Sequence, residues 1–266
     1  MKKGLFTLGI LFTSYFGFSQ SHYISLQGGY HFGLPSDNLT SSNISYSGSK
    51  INADGSTENV FGTLGKGVPV NLAVGRMFNE YIGVELGFNY LFGSSVLLGE
   101  DNFEDGRVGK AEAKTNQFRL MPQLVAKYNG LYSKAGVIIP VAGKTVLSLE
   151  ETSLGITTSS ETKITGKATV GFTAAVGYEH ALSDKLGLFG ELQYIGVNIK
   201  SNKAEVIKYE EAGDDVLETL PDGIKNTEYV DELSAEDAAN PLSGKELAFK
   251  RSYSSFGINI GVKFNL

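Results

Sequence analysis

The chain contains no cysteine, which excludes a disulfide framework, a thiolate nucleophile and a cysteine-lined metal cage. Basic residues are outnumbered: 23 Lys and Arg face 29 Asp and Glu, a net charge of −6 that argues against a nucleic-acid partner. Past the N-terminal segment no stretch approaches the ~20 consecutive apolar residues of a spanning helix, so a helical membrane protein is excluded. A closed barrel is not, because each of its strands needs only ~9 to 11 residues with every second one apolar. What the chain does have is glycine, 33 residues of 266 without the period of collagen, which suits tight turns and crowded interiors.

The N-terminus reads as an export signal. Met1, Lys2 and Lys3 precede a short apolar run over 5–18, and Gly17, Phe18 and Ser19 supply small residues at −3 and −1 of a cleavage site after Ser19. The expected domains are therefore a secretory signal peptide over 1–19 and one barrel domain over 20–266. No cysteine follows the signal, which excludes a lipoprotein.

Read for period two, the remainder breaks into eight segments with one apolar parity and one of glycine, small or polar residues. The last is clearest: Phe256, Ile258, Ile260, Val262, Phe264 and Leu266 share one face, and Ser255, Gly257, Asn259, Gly261 and Lys263 the other. Segments over 82–93 and 170–179 repeat the pattern, and the remaining strands are expected at 22–33, 68–78, 116–128, 131–142 and 186–199. Asn129-Gly130 is the dipeptide of a type I′ turn, which pairs Tyr128 with Leu131, Lys127 with Tyr132 and Val125 with Lys134. Connections alternate between short (79–81, 129–130, 181–185) and long (34–67, 94–115, 143–167, 200–251), so the short ones share one end of the barrel. The expected fold is all-β, an up-and-down antiparallel transmembrane β-barrel of eight strands with long extracellular loops and short periplasmic turns.

A soluble lipocalin-like barrel would show the same period with its apolar face inward. Composition decides against it: the polar parity is glycine-rich and carries charges of both signs, while Tyr30, Phe32, Phe92, Phe118, Tyr128 and Tyr178 stand on the apolar parity toward strand ends, as interfacial girdles do. The charges expected in the lumen are Glu85, Arg119, Lys134, Glu179 and Glu191, with Lys127 and Lys263 nearer the short turns. Unpaired charges in so narrow a space cost several kcal/mol, so these residues are expected to form a salt-bridge network that plugs the lumen.

This layout, together with the terminal strand over 256–266, resembles the small outer-membrane β-barrel family of the OmpX type and the membrane domain of the OmpA type. The resemblance covers 20–266. It implies residence in the cell outer membrane among lipid and lipopolysaccharide, and insertion by the barrel-assembly machinery, which in that family reads the alternating last strand. Here that strand closes on Phe264-Asn265-Leu266, with Leu where the family usually has Phe. A monomer is expected.

Residues that might carry chemistry are few. His22, His31 and His180 are too scattered for a metal cluster, and no catalytic constellation, cofactor site or metal site is visible. The acidic run from Glu100 through Asp101, Asn102, Glu104 and Asp105 lacks the spacing of an EF-hand, and 62–67 lacks that of a phosphate loop. The longest loop carries the acidic pairs Glu210-Glu211, Asp214-Asp215, Asp231-Glu232 and Glu236-Asp237, read as a solvated surface. Interleaved apolar residues such as Leu217, Leu220 and Ile224 are expected to fold that loop on itself over the barrel mouth. The functional expectation is a non-enzymatic membrane anchor presenting surface loops. The alternatives are a narrow or gated channel for small solutes and a lipid-modifying barrel enzyme.

Overall fold

The computed structural model describes residues 21–34, 37–38, 47–102 and 106–266. The signal segment 1–19 with its cleavage position at Ser19, and Glu104 and Asp105 of the acidic run, lie outside the described residues. Eight strands form the barrel: β1 (His22–Gly33), β2 (Gly67–Met77), β3 (Ile82–Gly93), β4 (Val108–Tyr128), β5 (Leu131–Ser153), β6 (Gly171–Ala181), β7 (Leu186–Gly196) and β8 (Ser255–Asn265). Each pairs antiparallel with its neighbour in sequence, and β8 pairs with β1, so the barrel closes. Closure leaves no edge strand. Among the described residues no helix is long and apolar enough to cross a membrane.

The hairpin at Asn129-Gly130 shows why local chemistry was enough to set register there. Both residues have positive φ, 49° and 85°, as a type I′ turn requires, and the ladder pairs Tyr128 with Leu131, Lys127 with Tyr132 and Val125 with Lys134. That register commits the residues of both strands to a face as far as Arg119 and Pro140.

The apolar parity faces outward. Leu26, Leu72, Leu86, Leu124, Val176, Leu192, Ile258 and Ile260 are exposed, while Gln27, Asn71, Glu85, Gln123, Gln193 and Asn259 beside them are buried. This inverts a soluble barrel and overturns the lipocalin alternative. Aromatic side chains border the exposed belt: Phe78, Tyr81, Tyr128 and Tyr178 at the end carrying the short turns, Phe32, Phe92, Phe172 and Phe256 at the end carrying the long loops.

Two expected loops are strands. Segments 108–115 and 143–153 continue β4 and β5 beyond the belt, paired from Gly143↔Gln117 to Thr152↔Val108. Alternation is present there with reversed polarity: Gly109, Ala111, Ala113 and Thr115 point inward, and Lys110 and Lys114 point outward. Outside the belt the sheet's outer face meets water, so charge replaces hydrocarbon. A search for one apolar parity misses it. A bulge between Pro140 and Ala142 also moves the inward parity of β5 from Tyr132, Lys134 and Ile138 to Thr145 and Leu147.

The strands Ile156–Gly166 and Asn198–Glu211 extend this outer sheet, pairing with β5 and with each other. Beyond them the longest connection folds into short pieces, including helical turns at Asp222–Lys225 and Ala235–Ala239. Many of its acids are paired: Asp231 with Lys167 and Lys200, Glu210 with Lys208, Asp237 with Lys245.

Candidate functional site: the lumen

Eight strands leave an interior only wide enough for side chains, so whatever the barrel does internally is done by the inward parity. At the turn end that parity supplies three lysines and three glutamates. Lys134 from β5 bridges Glu85 of β3 at 2.9 Å and Glu191 of β7 at 3.1 Å, and Glu179 of β6 takes Lys127 of β4 at 2.9 Å and Lys263 of β8 at 3.0 Å. Six strands thus meet in two ion clusters whose formal charges cancel.

Tyrosines complete them. The Tyr23 hydroxyl donates to Glu85 at 2.9 Å and that of Tyr132 to Glu191 at 3.2 Å, while the Gln27 amide donates to Glu191 at 3.3 Å. Lys263 lies 4.1 Å from the Tyr23 ring centre, and Lys134 5.2 Å from that of Tyr132. Two glycines make room: a Cβ at Gly75 would run into the Tyr23 ring, and one at Gly177 into that of Tyr132. The space left among these side chains is about 20 Å³, enough for about one water. Sequence reasoning placed Glu85, Lys134, Glu179 and Glu191 in the lumen but missed the two tyrosines. Their signal was an aromatic residue on an otherwise polar parity.

Arg119 does not join the network expected for it. It lies toward the loop end, fully buried, and its Nε donates to Gln117 Oε1 at 2.6 Å while Nη1 and Nη2 have no hydrogen-bond partner. The physical reason is height: Arg119 pairs with Asn89 of β3, whereas Glu85 pairs with Gln123, two inward positions nearer the turns. Around it the inward parity turns apolar, with Leu91, Met121, Ile138 and Ile195 fully buried. His31 sits on the same half, its Nδ1 3.2 Å from Ser255 Oγ. Among the described residues no three His, Cys, Asp or Glu side chains gather as a metal site.

The loop end is narrowed by chain from outside the barrel strands. Thr63 and Leu64, in the glycine-rich 62–67 segment, are buried against 252–254: Thr63 Oγ1 donates to the Ser254 carbonyl at 2.5 Å, and the Leu64 amide to that of Ser252 at 2.9 Å. Tyr253 joins Thr145 in a hydroxyl contact of 2.9 Å.

The wall has a weak place beside β5. The β5–β6 ladder ends at Ile138↔Gly171, and the ladder of β5 with Ile156–Gly166 begins only at Thr145↔Ile164, so 139–144 has no partner on that side. Pro140, which lacks an N–H, lies in this stretch, and a cleft of about 460 Å³ opens there between Val141, Ala142, Ile164, Lys167 and Tyr253.

No protein-family model matches the sequence, and no curated protein matches it. Among solved structures, the chain is similar to outer membrane protein OprG from Pseudomonas aeruginosa, at 14% identity over 93% of this chain and 97% of that one, with a TM-score of 0.40. It is also similar to CarO of Acinetobacter baumannii (13% identity, 90% and 96% covered, TM-score 0.31) and to outer membrane protein AlkL in DMPC lipid bilayers (11%, 94% and 92%, 0.35).

Proposed function

We propose that this chain is an integral outer-membrane β-barrel with a non-enzymatic role, a lipid-embedded anchor that holds a β-structured platform of loops at the cell surface. The exposed apolar belt between two aromatic borders supports the membrane assignment, since a band of that size in water would aggregate the protein. The alternation of short turns and long loops supports an orientation with the loops outside the cell and the turns in the periplasm. The observation that carries the anchor reading is the turn-end plug: six charged side chains neutralise one another in a space that keeps room for about one water. At the other end β4 and β5 run on past the belt as ordered sheet, which gives the loops a fixed presentation.

The test is conductance. The refolded protein in a planar bilayer should show no steady single-channel opening, and steady opening would replace this reading with the narrow channel. That second reading draws on the cleft beside 139–144, through which a small solute could bypass the plug.

A further inference from the structure

We propose that the loop-side half of the lumen is a binding site for a small inorganic anion, held by the guanidinium of Arg119. The lysines and glutamates of the turn-end plug cancel in charge, so Arg119 is a surplus positive charge inside the barrel, 0% exposed. Burying a cation without a counter-charge is strongly unfavourable. Among the described residues its one hydrogen bond is to a neutral amide, Gln117, and no carboxylate pairs with it.

The surroundings favour an anion over other neutralising groups. Asn89, opposite Arg119 on the neighbouring strand, is buried with neither side-chain nitrogen nor oxygen bonded; directly opposed Cβ atoms lie ~5 Å apart, so its NH₂ and the guanidinium can converge on one ion. His31 Nε2 is likewise buried, beside the Asn259 side chain, and with Nδ1 accepting from the Ser255 hydroxyl it would carry the hydrogen and donate. Three kinds of donor therefore occupy this half without a matching anionic acceptor. Leu91 lies one inward step from Asn89 toward the loops and Met121 one inward step from Arg119 toward the turns, both fully buried, so apolar side chains flank the position and, in so narrow a barrel, its occupant must be small. In such an apolar collar a charge-assisted contact is stronger than in water.

The test uses the refolded full barrel at constant ionic strength, with chloride replacing gluconate, an anion too large for the lumen. The expected result is a thermal unfolding midpoint that rises and saturates with chloride in the parent and in the loop variant Lys203→Ala, but is flat in Arg119→Met. A parent that does not respond, or an Arg119→Met variant that responds equally, overturns the proposal. Should Arg119→Met fail to fold, crystals of the parent grown in bromide decide: anomalous density in contact with Arg119 Nη1 or Nη2 supports the site, and its absence there overturns it.

Discussion

Lys134 lies between Glu85 and Glu191 with only 7% of its surface exposed, and among the described residues it is the one lysine that holds two carboxylates. Replacing it with Met leaves both carboxylates in the lumen without a cation. Removing one partner of such a buried pair typically costs ~3 to 5 kcal/mol, so Lys134→Met should lower the urea midpoint of the folded barrel markedly, while Lys203→Ala, on the exposed outer sheet, should leave it unchanged. Equal behaviour of the two variants would show that the plug is not structural. A different balance governs Asp231, which accepts from Lys200 at 2.8 Å and Lys167 at 3.0 Å in the outer loops. Those contacts lower its carboxyl from 3.8 to about 2. Because the folded value is the lower one, the tie between the two loops is present above the ordinary carboxylate range and is lost as pH falls through about 2. An NMR titration of the Asp231 carboxyl should find its midpoint below that of an unpaired aspartate, and in Lys200→Ala the midpoint should rise.

Single elements respond according to which solvent each face meets. Ile260 stands at the middle of β8 with 70% exposure, and Asn259 beside it is buried. Ile260→Arg should cost ~2 to 4 kcal/mol in a bilayer, because a charge at that depth loses water, whereas Asn259→Ser should cost much less. Unfolding titrations in lipid vesicles read both, and the opposite order would mean that the outer face is not in lipid. The β4–β5 hairpin depends on its turn. Gly130 has φ 85°, and an added Cβ would meet the Glu179 carbonyl at 2.9 Å, so Gly130→Val should destabilise the barrel by ~1 to 2 kcal/mol and slow its refolding. The strand ends tell why some elements were legible in sequence and others were not. Within the belt, lipid on one side and a packed lumen on the other impose a single apolar parity, and β1 is found over the residues the pattern predicts. Above the belt water replaces lipid, the polarity of 108–115 reverses, and a rule written for the belt reads ordered strand as loop.

For the whole molecule, the orientation is testable on intact cells. Added protease should cut within 231–244, a part of the outer loops with little regular pairing, and spare the turns at 129–130 and 182–185. Cutting at the turns alone would invert the barrel. By itself the sequence determined the closed, inside-out barrel, because alternation with one apolar parity and strictly alternating short and long connections are properties of strand geometry and turn length, readable residue by residue. For Arg119, Lys127 and Lys134 it also determined the face, since the parity set by Asn129-Gly130 runs along β4 and β5 as far as the bulge at Pro140. What only the tertiary structure decided is height. Strand stagger around a closed barrel sets which inward residues share a layer, so it alone brings Lys134 level with Glu85 and Glu191, adds Tyr23 and Tyr132 to the plug, and leaves Arg119 in an apolar layer without a carboxylate. Stagger is a sum over eight ladders and the bulge at Pro140, and no local stretch of sequence carries that sum.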